Sequence, residues 1–471
     1  GAFINYSLLL MGKTAVNLNY TSEIESIKQA INSAQIKTLI SSKKFIEKLE
    51  LKGINIKDIL DIVEVLYVED LKAEISKSKA LVTFLSVKFL PNYLLKLIHL
   101  IKTKKDDTAL ILFSSGSEGI PKGIELSGDN ILGNAQQIAN IINVSNEDIM
   151  VGSLPLFHAF GIVVTTYLPL IEGIKCVAHP DPTDGLGIAK LVFEHKATIM
   201  CGTSTFYRLY TKNTKIHPLM FESLRLVVSG AEKLREDVRV DFKKRFGKDI
   251  LEGYGTTETS PVAACNLPDV IAPDYSVQIG QKPRSVGMAI PGTIIKIVDA
   301  LTFKELAVNE EGMILISGIQ VMKTYLNNEE KAKEVIKIIK GRTYYITGDK
   351  GRIDEDGFLT IVDRYSRFAK LAGEMISLSA IEDKIANILD LPQDSLVDFI
   401  VTNIEDDKKG EKIVLLISNV NEEFILKLKE KFLKFFDNKL MIPSSIKIVQ
   451  EVPKLGTGKK DFSKAKLLAV E

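Results

Sequence analysis

Short apolar runs alternate with longer amphipathic stretches from residue 108 onward. The apolar runs lie at 108–113, 196–201 and 224–229, and residues 130–142 have the spacing of an amphipathic helix. Short apolar runs separated by helical patterns are typical of a sheet whose faces are covered by helices. The pattern therefore predicts an α/β architecture.

The pattern changes twice further along the chain. Short strands with Gly and Pro turns are predicted from 274 to 362, which indicates a β-rich subdomain. After Asp363, helix and strand patterns follow one another at 379–389, 413–418, 422–436 and 446–449, which predicts a small α+β domain. A chain of 471 residues is long enough for two or three domains. We expect a large domain over 1–363, with the β-rich subdomain at about 274–363, and a small domain over 364–471.

Charge and cysteine content exclude several classes of function. The 61 basic residues nearly balance the 60 acidic ones, so no overall field attracts nucleic acid, and no nucleic-acid partner is expected. Three widely spaced cysteines form no CxxC pair, and five histidines show no paired metal spacing. Oxygen ligands remain as the route to a metal, which makes Mg²⁺ the expected cation.

The most apolar stretch, residues 80–101, also carries Lys88, Lys96, His99 and Pro91. Such residues are not expected in a membrane-spanning helix. Its second half has the spacing of an amphipathic helix, which fits either a helix lying on a membrane or one packed on its own domain. The second role is the commoner one. The start of the chain lacks the pattern of a secretory signal peptide.

The most informative motif is a loop of glycines, hydroxyls and one lysine that follows the apolar run 108–113. Glycines let a backbone approach phosphate closely, hydroxyls and amides donate to its oxygens, and lysine adds positive charge. The spacing does not match the Walker A motif, because Gly123 follows Lys122 where that motif has Ser or Thr. A polyphosphate loop and a flexible Gly/Ser turn both remain open. The candidate residues are Ser114, Ser115, Gly116, Ser117, Gly119 and Lys122.

Four other segments carry groups suited to a nucleotide, although each is weak alone. Residues 251–258 combine an aromatic ring, hydroxyls and a carboxylate. Residues 228–232 read as a turn from strand to helix, where a ligand can approach the backbone, or simply as a βα turn. Asp349 follows a glycine and suits ribose hydroxyls. Residues 453–460 place Lys459 directly after Gly458 and close to the end of the chain, where a plain basic turn is the commoner interpretation.

Together and in this order, these motifs resemble the adenylate-forming superfamily of acyl-CoA synthetases, nonribosomal adenylation domains and luciferases. The resemblance covers about 100–471, and residues 13–20 are similar to a segment that precedes the phosphate loop in acyl synthetases. It implies a large adenylation domain and a small, mobile carboxy-terminal domain. Because only 113 residues precede Ser114, fewer than is usual in the family, we expect an incomplete amino-terminal subdomain.

The resemblance also implies roles for individual residues. Lys459 would neutralise charge during adenylation, Glu258 would bind Mg²⁺, and Thr257 and Lys122 would contact phosphate. Asp363 stands where many relatives have glycine, and Ser366 is the expected hinge. Nucleotide contacts are implied for the loop residues above and for Gly230, Ala231, Glu232, Gly253, Tyr254, Gly255, Thr256, Asp349 and Arg364.

Residues 155–161 are similar to the acyl-pocket motif of fatty acyl synthetases, which implies a fatty acid substrate. Residues 114–119, 230–234 and 367–377 resemble, more finely, the synthetase domain of bifunctional 2-acylglycerophosphoethanolamine acyltransferase/acyl-acyl-carrier-protein synthetases. This implies a soluble portion on the cytoplasmic side of a bacterial inner-membrane-associated protein, with peripheral membrane contact through the parent protein. The implied acyl-pocket residues are His158, Phe160, Gly161, Gly202, Thr203, Ser204 and Gly230.

The implied activity is an acid–thiol ligase that uses ATP and Mg²⁺. A fatty acid would be converted to an acyl-adenylate with release of pyrophosphate and then transferred to the phosphopantetheine thiol of holo acyl carrier protein. A long-chain fatty acid–CoA ligase is the alternative. Two further hypotheses stay open, a protein that binds acyl chains or nucleotide without turnover and a luciferase-like oxygenase.

Overall fold

The computed structural model describes residues 1–51, 53–54, 56–114, 121–371, 374–389, 395–406, 410–436, 438–454 and 460–470. In the first hundred residues a two-stranded parallel sheet, β2–β3, packs with short helices around a small core that includes Ile27, Ile31 and Leu49. The elements are α1 (Ala2–Leu10), β1 (Ala15–Asn17), α2 (Ile24–Ser33), β2 (Thr38–Ser41), α3 (Lys43–Leu51), α4 (Lys57–Leu60), β3 (Glu64–Tyr67), α5 (Val68–Glu74), α6 (Lys77–Phe89) and α7 (Asn92–His99).

The middle of the chain builds the main α/β layers. Its elements are β4 (Thr108–Ser114), β5 (Lys122–Ser127), α8 (Gly128–Ile142), β6 (Ile149–Gly152), a π-helix (Phe160–Tyr167), α9 (Leu168–Glu172), β7 (Lys175–Ala178), α10 (Gly185–His195), β8 (Ile199–Gly202), α11 (Ser204–Lys212), a 3-10 helix (Pro218–Phe221), β9 (Leu226–Ser229), α12 (Glu236–Phe246), β10 (Leu251–Gly255), a second 3-10 helix (Thr257–Thr259) and β11 (Val262–Cys265).

The β-rich region follows. Its elements are β12 (Val270–Ile271), β13 (Val277–Gln278), β14 (Met288–Ala289), β15 (Ile294–Val298), β16 (Gly312–Ser317), β17 (Thr324–Tyr325), α13 (Glu329–Val335), β18 (Ile336–Ile339), β19 (Arg342–Ile353), β20 (Leu359–Arg364) and a 3-10 helix (Tyr365–Arg367). Strands β15, β16, β19 and β18 form an antiparallel sheet, and β20 also pairs with β19.

A seven-stranded sheet forms the centre of the molecule, in the order β14–β11–β10–β9–β8–β6–β7. Strands β10, β9, β8, β6 and β7 run parallel, while β11 is antiparallel to β10. A second sheet, β1–β4–β5–β17, lies against the π-helix and shares a core with it. Parallel strands gather their carboxyl ends at one edge, where ligands bind in open α/β sheets. The predicted α/β class is confirmed.

The last hundred residues form a separate sheet, β22–β21–β24–β23, with β25 parallel to β24. Its two hydrophobic cores draw their described residues from position 369 onward. The division into domains 1–363 and 364–471 stays a prediction. The elements are β21 (Phe368–Leu371), β22 (Glu374–Ser377), α14 (Leu378–Leu389), β23 (Asp398–Asp406), β24 (Gly410–Ser418), α15 (Glu422–Phe435), a 3-10 helix (Lys439–Met441), β25 (Ser445–Val449) and α16 (Phe462–Val470).

Helix α7 differs from the expectation of a helix packed on its own domain, and the preceding helix α6 is uncovered as well. Both lie wholly within the described residues, and none of their residues is buried. The sequence pattern indicated an amphipathic helix correctly but could not show whether anything covers its apolar face. In the described part of the chain, every helix is too short or too polar to span a bilayer.

Candidate active site

The expected phosphate loop is closed by a hairpin of β4 and β5. Ser114, the last residue of β4, lies directly opposite Lys122, the first residue of β5. The loop predictions at Ser115, Gly116, Ser117 and Gly119 lie outside the described residues. The hairpin thus places Ser114 and Lys122 at the two ends of this segment.

Tyr254 near the end of β10, Asp349 within β19 and Arg364 at the end of β20 lie together. The Tyr254 hydroxyl donates to Asp349 Oδ2 at 2.6 Å, and Arg364 Nε lies 3.0 Å from Asp349 Oδ1. Asp349 and Arg364 are paired across β19 and β20, so sheet register brings the second pair together. Burial raises the pKa of Asp349, while the Arg364 guanidinium and the Tyr254 hydroxyl act in the opposite direction. Both carboxylate oxygens of Asp349 are therefore held in place.

Glu258 lies in the 3-10 helix that follows β10. Its carboxylate accepts a hydrogen bond from the Tyr325 hydroxyl at 2.9 Å, and its carbonyl accepts one from Met322 N at 2.7 Å. Burial raises the pKa of Tyr325, and the Glu258 charge raises it further. Strand β17, which carries Tyr325, pairs with β5 and so ties Glu258 to the strand that begins at Lys122.

Tyr325 was not identified from the sequence as a site residue. It lies 67 positions from Glu258, and nothing local to residues 324–325 signals the pairing of β17 with β5. Tyr345, four residues before Asp349, was likewise not assigned a role from the sequence. Burial raises the pKa of Tyr345, and Glu258 and Tyr325 raise it further, which places this side chain in the same electrostatic cluster.

The backbone at Gly255 lies close to Pro261, the residue before β11. A Cβ on Gly255 would lie 1.6 Å from the Pro261 carbonyl oxygen, so only glycine fits there. At Gly253 the nearest atom would be 3.6 Å away, an ordinary contact. Thr256 N donates to Thr259 Oγ1 at 2.9 Å, and this bond fixes the start of the 3-10 helix that carries Thr257 and Glu258.

The turn after β9 brings Gly230, Ala231 and Glu232 beside the end of β8. Gly230 N donates to the Gly202 carbonyl at 3.1 Å, and Ala231 has a positive φ of 69°. The Glu232 carboxylate accepts from Thr205 N at 2.6 Å. Since Thr205 lies in the first turn of α11, Glu232 satisfies a free amide at a helix N-terminus.

The expected acyl-pocket residues come from three separate segments that the sheet gathers together. A Cβ on Gly230 would lie 3.1 Å from the Phe160 ring, and one on Gly161 would lie 2.0 Å from the Pro155 carbonyl oxygen. Thr203 Oγ1 accepts from Phe206 N at 3.4 Å, and Ser204 Oγ accepts from Arg235 N at 3.1 Å. The remaining members are Gly202, which ends β8, and His158, whose ring contacts that of Phe157.

Asp363 precedes the expected hinge and is hydrogen-bonded to β22 and α14 of the carboxy-terminal region. Its carboxylate accepts hydrogen bonds from Ser377 Oγ and from Ser379 Oγ, the latter at 2.7 Å. Ser366 lies in the 3-10 helix that joins β20 to β21. Lys459 lies outside the described residues, so its expected role is a prediction that rests on the resemblance. Within the described ranges, no group of three or more His, Cys, Asp or Glu side chains forms a metal cluster.

The sequence is similar to curated acid–CoA ligases. It is 33% identical over 282 residues to a probable 4-coumarate–CoA ligase 2 of Dictyostelium discoideum, covering 59% of this chain and 49% of the relative. It is 27% identical over 360 residues to a long-chain-fatty-acid–CoA ligase of Bacillus subtilis, covering 75% and 60%. The chain thus spans about half to three fifths of the length of these relatives.

Solved structures with low sequence identity share the fold. ATP-bound MatB from Rhodopseudomonas palustris superposes with a TM-score of 0.78 at 22% identity, covering 99% of this chain and 86% of the other. An o-succinylbenzoate CoA synthetase from Bacillus subtilis, bound to its acyl-adenylate intermediate, gives 0.77 at 21% identity, covering 99% and 85%. A model of the AMP-binding enzyme family matches residues 2–326, more than half of the sequence, and the chain therefore belongs to the AMP-binding enzyme family.

Proposed function

We propose that this chain activates a fatty acid with ATP and transfers the acyl group to the thiol of holo acyl carrier protein. The observation that carries the proposal is the cluster in which Tyr254 and Arg364 hold Asp349 while Tyr325 holds Glu258. It provides an aromatic ring, a fixed carboxylate and a second, half-buried carboxylate beside the strand that begins at Lys122. Family membership and the names of the curated relatives support acid activation.

In this proposal Tyr254 contacts the adenine, and Asp349 with Arg364 binds the ribose. Ser114 and Lys122, at the two ends of the phosphate loop, bind the phosphates. The Glu258 carboxylate is an oxygen ligand of the kind that Mg²⁺ prefers, so the residues present fit that ion. When bound there, Mg²⁺ would neutralise part of the negative charge of the phosphates. A structural neighbour, the o-succinylbenzoate CoA synthetase, was solved with ATP and magnesium.

The first step joins a fatty carboxylate oxygen to the α-phosphorus of ATP and breaks the bond to pyrophosphate. Lys459 and Lys122 stabilise the negative charge that increases on the phosphate oxygens. The second step joins a thiolate sulfur to the acyl carbon and expels AMP. The part of the chain beyond Ser366 rotates between the steps, so that Lys459 withdraws and the thiol enters.

The acceptor thiol has two candidates. Acyl carrier protein is supported by the finer resemblance at 114–119, 230–234 and 367–377. The same resemblance implies that the chain is a domain of a larger phospholipid-recycling acyltransferase at the cytoplasmic side of a bacterial inner membrane. Coenzyme A is supported by the relatives, which are named CoA ligases. We retain coenzyme A as the second candidate.

The test is thioester formation from labelled palmitate, ATP and Mg²⁺, with holo acyl carrier protein or coenzyme A in parallel. Label on the carrier protein supports the proposal, and label on coenzyme A alone replaces it by the second candidate. Accumulation of palmitoyl-AMP with neither thiol acylated contradicts both acceptors. If no adenylate forms, the activity itself is contradicted.

The proposed role of Lys459 has a matched control in its neighbour Lys460. Lys460 Nζ lies 3.5 Å from the Glu382 carboxylate and contacts the ring of Phe399. These contacts within the carboxy-terminal region give Lys460 a structural role. We expect Lys459→Ala to slow adenylate formation about 100-fold or more, and Lys460→Ala to change it by less than about threefold. Thioester formation from added palmitoyl-AMP should survive in both variants. Unimpaired adenylation by Lys459→Ala would contradict the role.

A further inference from the structure

Helices α6 and α7 form a helical hairpin whose apolar side chains are left uncovered. Phe89 is 70% exposed and Leu97 is 74% exposed. Large apolar side chains that are exposed together on neighbouring helices mark a site of interaction with a protein or a membrane. We use the name hairpin surface for the exposed side chains of Leu81, Val82, Phe84, Leu85, Val87, Phe89, Tyr93, Leu97, Ile98, Leu100 and Ile101.

Hydrogen bonds hold the hairpin together and attach it to the rest of the fold. Ser76 caps α6 by accepting from Lys79 N at 3.3 Å, and Ser86 Oγ lies 3.2 Å from His99 Nε2 across the two helices. At its base, Ile101 N donates to the Leu10 carbonyl at 3.4 Å. The apolar side chains are thus presented on an ordered support that is anchored to α1.

The charge of the hairpin contrasts with that of the rest of the chain. Helices α6 and α7 contain four lysines and no aspartate or glutamate, and three more lysines follow at 102–105, so residues 75–105 carry seven lysines and no acidic residue, whereas the whole chain has a net charge of only +1. The remainder of the molecule is therefore acidic, and the positive charge is concentrated where the apolar surface is exposed. Exposed apolar side chains with lysines beside them favour contact with the interface of an anionic membrane, and α7 in addition has the spacing of an amphipathic helix.

We propose that the hairpin surface binds an anionic lipid bilayer, with α6 and α7 lying in the plane of the membrane surface. Helices of 13 and 8 residues are too short to span a bilayer. A second copy of the chain fits less well, because it would bring two segments of charge +7 together. The proposal concerns binding alone and does not depend on the proposed enzymatic function.

The position of α1 gives this binding a consequence for the acyl pocket. One end of α1 holds the hairpin through Leu10, and Tyr6 donates from its hydroxyl to the Thr166 carbonyl of the π-helix at 2.8 Å. That π-helix begins at Phe160, whose ring lies against Gly230. Helix α1 therefore links the hairpin to the π-helix that borders the expected acyl pocket. A bilayer bound to the hairpin surface would be connected to that pocket through α1. This consequence, unlike the binding, rests on the proposed function.

The test is sedimentation of the whole chain with vesicles of phosphatidylcholine alone or mixed equally with phosphatidylglycerol. We expect binding to the anionic vesicles that weakens as salt is raised. The triple variant Phe84→Ser, Phe89→Ser, Leu97→Ser should weaken binding about tenfold or more. The matched control is the variant Leu219→Ser, Leu301→Ser, which removes exposed apolar side chains elsewhere and should bind as the original chain does.

A second variant separates charge from apolar contact. Replacing Lys77, Lys79, Lys88 and Lys96 by Gln should weaken binding to the anionic vesicles about tenfold or more, whereas replacing Lys427, Lys429, Lys431 and Lys434 of α15 should not. Circular dichroism checks that each variant is folded.

The proposal is overturned if the chain does not sediment with anionic vesicles, or if the hairpin variants bind them as well as the controls do. It is also overturned if the triple variant instead dissolves a dimer or abolishes binding of acyl carrier protein while vesicle binding is unchanged.

Discussion

Glu252 carries a half-buried carboxyl group on β10, next to the glycine that precedes Tyr254. Burial raises its pKa to about 7, with Arg239 acting in the opposite direction and Glu236 raising it. The pKa of this group is higher in the folded chain than in the unfolded chain. Its contribution to the free energy of unfolding is therefore fully present at low pH and is lost as pH rises through about 7. Above that pH the folded chain carries a poorly solvated charge.

We therefore expect Glu252→Gln to stabilise the chain at pH 8 by about 1–2 kcal/mol and to change it little at pH 4.5. The amide oxygen of Gln can accept the same backbone hydrogen bond, from Arg284. Urea unfolding at the two pH values measures the difference. The control is Glu355→Gln at an exposed carboxyl, which should show no such pH dependence. Equal effects of Glu252→Gln at both pH values would contradict the prediction.

Among the elements, the π-helix Phe160–Tyr167 depends on a close backbone approach at one residue, Gly161. A Cβ on Gly161 would lie 2.0 Å from the Pro155 carbonyl oxygen and 2.9 Å from that of Leu154. The Gly161 carbonyl also accepts from the hydroxyls of Thr165 and Thr166, at 2.8 and 3.1 Å. A methyl group here must displace backbone atoms, which is more costly than displacing the end of a side chain.

We expect Gly161→Ala to lower the free energy of unfolding by about 2–4 kcal/mol, measured in urea. Gly173 is a matched control 12 positions along, because nothing lies within 4 Å of a Cβ placed there and its φ is 71°. Asn tolerates such a backbone, so Gly173→Asn should cost well under about 1 kcal/mol. Similar losses in both variants would show that close approach at Gly161 is not the cause.

The elements that could be predicted from the sequence are those with a local repeat. The predicted helix 130–142 corresponds to Gly128–Ile142, and the apolar run 108–113 to Thr108–Ser114. The π-helix could not be predicted, since seven of its eight residues are buried and no polar face marks its period. The contact of Tyr325 with Glu258 also escaped prediction, because sheet pairing and not sequence spacing brings these residues together.

At the scale of the whole molecule, exposed ion pairs join helices α14 and α16 of the carboxy-terminal region to the rest of the chain. Lys233 Nζ lies 3.1 Å from Asp383, with both side chains mostly exposed, and Lys464 Nζ lies 3.0 Å from Glu23. Beside the chain connection, Ser377 and Ser379 donate to Asp363. Exposed ion pairs contribute only about 0–1 kcal/mol each. This arrangement of the carboxy-terminal sheet is therefore expected to exchange readily with others.

We expect Asp383→Lys to replace the attraction with repulsion and to reduce the equilibrium constant between this arrangement and the others about two- to fivefold, because up to about 1 kcal/mol changes an equilibrium constant by that factor. The double variant Lys233→Asp, Asp383→Lys restores opposite charges and should restore the population. Single-molecule energy transfer between dyes at Lys337→Cys and Lys429→Cys, both exposed, measures the distribution in a Cys176→Ser background. High salt should remove the difference between the variants, since it screens exposed charges. A distribution that the single variant leaves unchanged at low salt would mean that contacts other than the Lys233–Asp383 ion pair hold the carboxy-terminal sheet in place.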